Sequence, residues 1–401
     1  MWQSIKNIYH LFQAFAANLR YGFPSKKLTV VGITGTDGKT TTAALISEIL
    51  RRGGKKVVTI TTLGATIGDQ QLDTGLHTTT PSPFSIQRIL RKAVSTGCTH
   101  AVIEVSSHAL DQNRVWGIAF RVGILTNITH EHLDYHKTME RYTAAKTRLL
   151  KNSAACVLNV DDSSYKNVAP KIARKTITYA LRGSADITPK SFPFSTGLPG
   201  AFNQYNCLAA ATCCKELGID GETICKALAH ATNPKGRAET VYDKDFKVII
   251  DFAVTPNAFS EILSYASKQK RGRLIHVFGL SGKRDTAKRP VMGRVAAQFD
   301  DVIILTTDDP RDESVSHINE EIKRGITGFS KGDVAYPIEK KMIFEIADRK
   351  DAINFAIKNA RAGDIVILTG KAHEQSLAVG THEVPWDEYA AVRDALARRS
   401  R

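Results

Sequence analysis

At 401 residues, with 42% apolar and 24% charged side chains, the chain has the composition of an ordinary soluble globular protein long enough for two or three domains, each with its own core. Lys plus Arg exceed Asp plus Glu by 15, but the basic residues are scattered, with only short clusters such as Lys26-Lys27 and the terminal ARRSR, so anionic small molecules are expected rather than nucleic acid. Six cysteines without a C-x-x-C pair argue against a zinc site or a disulfide framework and fit a reducing cytosol, and neither a bilayer-length apolar run nor a cleavable signal is found, so the chain is read as cytoplasmic without stable membrane insertion.

Residues 1–23 carry Trp2, Ile5, Ile8, Tyr9, Leu11, Phe12, Phe15 and Leu19 at spacings near three and four, the period of an amphipathic helix. It is expected to pack on the body of the protein, with a membrane-surface helix as the other reading. Leu28–Ile33 is an apolar strand that runs into GTDGKTTT and a helical stretch. Strand, glycine loop and helix together make a phosphate cradle. Gly35 and Gly38 can take positive φ, so the backbone N–H groups of Thr36, Asp37 and their neighbours can face an anion at a helix start. Lys39 then neutralises terminal phosphates, and Thr40, followed by Thr41, offers a hydroxyl to Mg²⁺. The strict Walker spacing is absent, since Ile33 stands where its first glycine belongs.

Lys56–Thr61 reads as a second strand, and LHTTTPSP as a loop, because the residue before a proline is pushed to extended geometry. Its Thr78, Thr79 and Thr80 are open to substrate binding or to turn hydrogen bonds. Ala101–Val105 is a buried-type strand containing Glu104, a carboxylate that is costly there unless paired or bound to a metal. Val122–Asn127 is a further strand, and His130, Glu131, His132, Asp134 and His136 crowd its carboxyl end, where doubly wound sheets bind ligands. Such a set suits zinc by its histidines and a hard cation by its oxygens. From Lys137 to Leu150 the pattern is helical, and by composition alone Lys146 is a surface lysine.

In this order, TGTDGKTTT, TTP, EVSSHALDQNR, TNITHEHLDYH, AAKTRL and LPGAFNQYN resemble the Mur ligases, ATP-dependent amide ligases of peptidoglycan precursor assembly, over nearly the whole chain from Leu28 onward. The resemblance is strongest to the tripeptide-forming branch. It implies addition of a diamino acid, meso-diaminopimelate or L-lysine, to UDP-N-acetylmuramoyl-L-alanyl-D-glutamate through an acyl phosphate. It also implies an α/β fold, in which a P-loop-type, mostly parallel sheet domain is followed by a smaller Rossmann-like α/β domain. By the same resemblance Thr79, Thr80, Ser106, Gln112 and Arg114 hold the muramoyl peptide, Glu104 and His132 ligate Mg²⁺, and Lys146 is carbamylated, becoming an oxygen donor. Asn203 reads adenine, with Asn206 beside it. Arg237, in GRAETV, marks the entry to the last domain and joins the ATP site with Asp251. The expected organisation is a leading helix and linker (1–27), an ATP-binding domain (28–235) and an amino-acid-binding domain (236–401) in a monomer acting on small molecules.

The last domain contributes strands at 247–251, 274–278, 302–305 and 365–368 and three charged loops. LSGKRDTAKRP holds Arg284, Asp285, Lys288 and Arg289; TTDDPRDE holds Asp308, Asp309 and Arg311; TGKAHEQS holds Gly370, Lys371, His373 and Glu374. Arg284 and Arg311 match arginines that bind amino-acid carboxylates, and Glu374 matches the partner of a distal ammonium. The chain departs from the family in four places. Residues 1–27 precede the loop where the family has a uridine-nucleotide-binding domain, so the UDP end is expected to be held by little, held by another protein, or absent from the substrate. Val254 and Asn257 replace a histidine and an aspartate, and residues 156–200 look shorter. Asp309 replaces asparagine in D-N-P-R, which favours an incoming ammonium and so lysine or ornithine. A sibling ligase acting on lipid-linked intermediates or folate, and a non-catalytic nucleotide-binding relative, are the alternative readings.

Overall fold

The computed structural model describes residues 2–399 except 69, 73, 76 and 77, with side chains from residue 6 onward. Leu76 and His77 of LHTTTPSP, Ser400 and Arg401 of ARRSR, and the side chains of Trp2 and Ile5 in the amphipathic stripe therefore lie outside the described residues. Contacts divide the chain into two compact units, residues 1–129 with 136–232, and residues 233–401 with the short segment 130–135.

The first unit is built on eight strands: β1 (Thr29–Thr34), β2 (Val57–Thr61), β3 (Gly64–Ile67), β4 (Gln70–Leu72), β5 (His100–Glu104), β6 (Phe120–Leu125), β7 (Ser153–Asn159) and β8 (Lys175–Tyr179). Their order is β4-β3-β2-β5-β1-β6-β7-β8, parallel from β2 to β8 with β3 and β4 antiparallel at one edge. Successive residues of a strand face opposite sides of the sheet. Val31 and Ile33 accordingly join the core under the helices Lys39–Arg52, Ala201–Glu216 and Gly221–Ala229, while Val30 joins Ile86, Leu90, Ala109 and Leu110 on the other face. With both faces covered, the central strands are apolar over most of their length, as the runs at 28–33 and 101–105 suggested, with Glu104 the charged exception. A Cβ on Gly32 would come within 2.7 Å of Leu149 and 2.8 Å of Phe120, so this glycine lets the helix Met139–Lys151 approach β1. β1 lies between β5 and β6, and the chain leaves β1 and β5 on opposite faces, which opens a crevice at the carboxyl ends of these strands.

The amphipathic stretch forms the helix Trp2–Tyr21, but the face that it buries was not the one expected. It packs on the helix Pro83–Ser95 and buries Ala14, Ala17 and Asn18, whereas Ile8, Tyr9, Phe12, Phe15 and Leu19 remain exposed. Small side chains allow close approach of two helices; the larger ones point away.

The second unit holds β9 (Glu239–Asp243), β10 (Lys247–Asp251), β11 (Leu274–Phe278), β12 (Val302–Leu305), β13 (Ser330–Lys331), β14 (Met342–Glu345) and β15 (Ile365–Thr369). The order is β13-β14-β12-β11-β15-β10-β9, parallel except for β9. The hairpin β16 (Ser376–Val379) and β17 (His382–Pro385) follows. Val248, Ile250, Val277, Ile304 and Leu368 pack with Ile353 and Val392 of the helices Arg349–Asn359 and Glu388–Arg399. The four strands read from the sequence are β10, β11, β12 and β15; the polar edge strands β9 and β13 carry too little apolar signal to be read.

Among the described residues no helix is long and apolar enough to cross a membrane. All six cysteines are free, and burial pushes the Cys156 and Cys207 thiols up to about 11.

Candidate functional site

The carboxyl end of β1 turns through Gly35 (φ 150°) and Gly38 (φ 82°) into the helix Lys39–Arg52. A Cβ on Gly35 would lie 1.8 Å from Thr126 Oγ1 and one on Gly38 would lie 2.3 Å from Asn206 Oδ1. Both positions thus need glycine for space as well as for backbone conformation. The loop is braced from the next strand. Asn127 Oδ1 accepts from the N–H groups of Thr36 (3.2 Å) and Asp37 (2.9 Å), and Thr126 Oγ1 donates to the Asp37 carbonyl at 2.7 Å. Thr36 Oγ1 is shared with Tyr142 Oη at 3.1 Å.

Glu104, at the last position of β5, is buried. Its carboxylate accepts from Thr40 Oγ1 at 3.0 Å and from the Thr62 N–H and hydroxyl at 3.1 Å, and Lys39 Nζ stands 4.0 Å away. These partners meet the cost of a buried carboxylate. Lys39 Nζ also donates to the Thr36 carbonyl at 2.8 Å, and Thr41 is buried in the first helical turn. The Glu104 main-chain carbonyl accepts from Thr80 Oγ1 at 3.0 Å, which in turn receives the Ser106 N–H at 2.9 Å. Arg114 Nη1 donates to the Thr80 carbonyl and Arg114 Nε to Gln112 Oε1, each at 2.9 Å, while Thr62 Oγ1 reaches Thr79 at 3.2 Å. One residue therefore joins two predicted sets: its side chain serves Lys39 and Thr40, and its carbonyl serves Thr80 and through it Ser106 and Arg114.

Lys146 is 1% exposed, so its placement on the surface from composition was wrong. Its Nζ donates to the Gly35 carbonyl at 2.6 Å and lies 4.5 Å from the centre of the Tyr142 ring, beneath the glycine loop. His136, read as one of the cluster after β6, is buried against Ser107 Oγ at 3.0 Å. Asn203 is buried near the start of the helix Ala201–Glu216; its Nδ2 donates to the Pro199 carbonyl at 2.7 Å, and its Oδ1 accepts from Asn206 at 3.0 Å. Oxygen donors gathered at Glu104, Thr40 and Thr62 suit a hard divalent cation better than zinc.

His132 lies in the segment 130–135, which packs with the second unit. There its Nδ1 lies 3.7 Å from Glu131, whose two carboxylate oxygens each accept from Lys288 at 3.1 Å, and Lys288 also donates to the Val254 carbonyl at 2.8 Å. His130 faces Asp285 at 3.2 Å. His132 has φ 58°; Ala238, Arg311 and Ala372 are left-handed as well, and such conformations persist where the surroundings over-determine them.

In the second unit Asp308, Asp309, Gly370 and Glu374 come together around one cation. Lys371 Nζ lies 2.7 Å from Asp309, 2.6 Å from Glu374 and 4.0 Å from Asp308. The three carboxylates lie close enough to hold a metal ion, but the ammonium stands among them. Asp309 Oδ1 also accepts the Ala378 N–H at 3.0 Å, so the charge that was expected to favour an incoming ammonium is spent in part on Lys371 and on the backbone. Burial pushes the Asp308 carboxyl up to about 6 against the pull of Lys371. Gly370 (φ 105°) has no room for a Cβ, which would sit 2.7 Å from Asp308 Oδ2. Arg311 is held by its backbone, its N–H donating to the Ala378 carbonyl at 2.9 Å, and its buried Nε has no hydrogen-bond partner among the described residues. Such a group awaits an acceptor. Arg284 is exposed. Arg237 lies 4.7 Å over the Phe252 ring, and Asp251 Oδ2 accepts the Ala238 N–H at 2.6 Å. Arg289 is buried between Glu313 and Glu321 and is structural.

Sequence reasoning missed several residues. Thr62 and Asn127 lie just past the ends of β2 and β6, a position that signals a ligand crevice once the strands are known. Arg349 is fully buried, bonds Glu388 through Nε (2.9 Å) and Nη2 (2.6 Å), and donates to the Thr307 and Thr369 carbonyls, which precede Asp308 and Gly370. No local signal marks it.

Family models for the Mur ligase middle domain and for the Mur ligase glutamate ligase domain match residues 33–214 and 236–372. The chain is 39% identical to the UDP-N-acetylmuramoyl-L-alanyl-D-glutamate--2,6-diaminopimelate ligase of Aquifex aeolicus, over 94% of this chain and 79% of that protein. It is 37% identical to a UDP-N-acetylmuramyl-tripeptide synthetase of Roseiflexus, over 94% and 80%. Among solved structures, a UDP-N-acetylmuramoyl-L-alanyl-D-glutamate--2,6-diaminopimelate ligase superposes with a TM-score of 0.61 at 29% identity, covering 93% of this chain and 79% of that one. An E. coli FolC in complex with DHPP and ADP shares the fold, with a TM-score of 0.72 at 16% identity over 98% and 94%.

Proposed function

Because the chain belongs to the Mur ligase family, we propose that it joins a diamino acid, meso-diaminopimelate or L-lysine, to UDP-N-acetylmuramoyl-L-alanyl-D-glutamate at the expense of ATP, as a cytoplasmic monomer. The observation that carries this reading is Glu104, which links the phosphate-loop residues Lys39 and Thr40 to Thr80, Ser106 and Arg114 through one buried network.

In this reading residues 28–235 bind ATP and the muramoyl peptide, and residues 236–401 deliver the amino acid. The glycine loop offers the backbone N–H groups of Gly38–Thr41 to the phosphates, those of Thr36 and Asp37 being held by Asn127, and Lys39 turns from the Thr36 carbonyl to the transferring phosphoryl group. Thr40, Glu104, His132 and a carbamylated Lys146 would hold Mg²⁺, which when bound neutralises phosphate charge. Thr79, Thr80, Ser106, Gln112 and Arg114 position the substrate carboxylate, whose oxygen attacks the γ-phosphate and yields an acyl phosphate and ADP. The amine of the amino acid then adds to the acyl carbon, loses a proton, and expels inorganic phosphate from the tetrahedral intermediate. Arg311 supplies a fork for an amino-acid carboxylate with Arg284, while Asp308, Asp309, Gly370 and Glu374 shape the rest of the pocket. Asn203, Arg237 and Asp251 serve the nucleoside end.

The test is release of inorganic phosphate by the purified chain. It should require the muramoyl dipeptide and the diamino acid together; release in the absence of both would make the protein an ATPase and sink the proposal. A Lys146→Ala variant whose turnover returns on addition of a short carboxylate would support carbamylation.

A further inference from the structure

The helix Trp2–Tyr21 lies outside both stretches matched to the family, and the chemistry above makes no use of it. It is firmly seated on one side. Ala14, Ala17 and Asn18 are fully buried, Asn18 Nδ2 donates to the Ala14 and Trp116 carbonyls at 2.8 and 2.9 Å, and a Cβ on Gly117 would come within 2.7 Å of Asn18. Its other side carries Ile8 (68% exposed), Tyr9 (59%), Phe12 (68%), Phe15 (43%) and Leu19 (57%). At about 100° per residue these five share one arc of the helix. Trp116, 40% exposed, continues the stripe beside Phe15, with ring centres 5.8 Å apart. A run of large exposed apolar side chains of this size marks an interaction surface.

The charge around the stripe selects the partner. No acidic residue occurs before Asp37, whereas Lys6, Arg20, Lys26 and Lys27 are exposed along and just after the helix. The helix Pro83–Ser95, on which it packs, exposes Phe84, Arg88 and Arg91 and contains no carboxylate. Asp111 is the acidic group that meets the helix, and it is engaged by Asn7 at 3.1 Å and by Arg148 at 3.6 Å. An apolar helix face with aromatic side chains and cationic flanks is the pattern that lies in the headgroup region of a bilayer, with its bases toward anionic lipid and its rings at the acyl boundary.

We propose that this face docks reversibly on an anionic lipid surface, the helix lying in the plane of the headgroups. The full chain should sediment with vesicles of phosphatidylglycerol and phosphatidylcholine and remain in solution with phosphatidylcholine alone, and high salt should weaken the binding. Phe12→Ser and Ile8→Ser should each bind the anionic vesicles about tenfold more weakly. Both should keep the wild-type melting temperature, since neither side chain is buried, and the solution ligase rate of the parent. Tyr336→Ser, at an exposed aromatic residue of the second unit, should bind as wild type does. The proposal is overturned if wild-type protein stays in solution with every vesicle, if Phe12→Ser binds as tightly as the parent, or if Tyr336→Ser loses as much affinity. It is also overturned if light scattering shows a dimer that Phe12→Ser dissolves and vesicles do not, because a second copy would then cover the face.

Discussion

The two candidate sites neutralise buried charge in opposite ways. At the glycine loop a single carboxylate, Glu104, is surrounded by hydroxyls and N–H groups, and the ammonium groups of Lys39 and Lys146 rest on main-chain carbonyls at 2.8 and 2.6 Å. Those contacts are neutral on one side, so in Lys39 an arriving phosphate has a cation to recruit. The second unit pairs charge with charge, Lys371 against Asp309 and Glu374 and Arg349 against Glu388. Such pairs hold a shape, and each member becomes costly once its partner is removed. The comparison teaches that the first site is poised for a ligand's charge, whereas the second is a rigid frame in which the unsatisfied Arg311 Nε is an opening.

If the frame is as described, breaking it should cost the most. Arg349→Met leaves Glu388 buried and releases the Thr307 and Thr369 carbonyls, and should lower stability by about 3–5 kcal/mol. Denaturant unfolding followed at Trp386, whose indole donates to Glu388 at 2.8 Å, reports this region. A loss below about 1 kcal/mol would mean that the pair is replaceable and the contrast overdrawn. At the other site the cost should fall on rate and leave stability intact. Lys39→Ala should reduce phosphate release by about a hundredfold or more, equivalent to about 3 kcal/mol of transition-state stabilisation, with the melting temperature within a few degrees of wild type. Wild-type turnover in that variant would remove Lys39 from the chemistry.

The pH dependence of stability sharpens the same contrast. Burial disfavours the charged form of Asp308 and pushes its carboxyl up to about 6, against 3.8 for an unperturbed carboxyl. A raised pKa in the folded state means stability that is complete below about 4 and is lost as pH rises to about 6. Asp308→Asn cannot ionise, so the variant should match wild type near pH 4 and exceed it above pH 6 by up to about 3 kcal/mol. Thermal melts across that range check the sign; a variant less stable than wild type at pH 7 would show that the ionised carboxylate is net favourable beside Lys371.

How much could be read in advance follows the same division. The glycine loop was legible because its requirements are local: positive φ at Gly35 and Gly38, a lysine and a threonine at a helix start, and an apolar strand before them. The strands β1, β2, β5, β6, β10, β11, β12 and β15 were legible for a similar reason, since burial on both faces leaves them mostly apolar, Glu104 and His276 aside, whereas β7, β8 and β14 were not read. The partners of Glu104 were not. Thr62 and Thr40 are distant in the chain from Glu104, and only the order of strands β2, β5 and β1 brings them side by side. Lys146 was misplaced by composition because nothing in AAKTRL tells which helix face meets the Gly35 carbonyl. The charged loops of the second unit were found as loops, but which carboxylate belongs to substrate and which to Lys371 depends on contacts between segments 62 residues apart, as for Lys371 and Asp309. The amphipathic period of the first helix was right, yet periodicity reports an apolar stripe without saying that the smaller Ala14–Asn18 side is the one that packs.

The smallest effect tests whether the phosphate loop owes its shape to space or to backbone freedom alone. Gly35 has φ 150°, a backbone conformation that strains any side chain, and its Cβ would in addition overlap Thr126 Oγ1 at 1.8 Å. To make room, Thr126 must rotate and release the Asp37 carbonyl that it holds at 2.7 Å. Gly35→Ala alone should therefore cost about 1–3 kcal/mol and weaken nucleotide binding. Thr126→Ala already gives up that hydrogen bond, at about 1 kcal/mol. In the double variant the oxygen is gone and the nearest remaining contact, Thr126 Cβ at 3.1 Å, needs only a small shift. The two losses should then fall short of their sum by about 1 kcal/mol. Strict additivity would assign the whole cost to backbone conformation and would leave Thr126 without a part in shaping the loop.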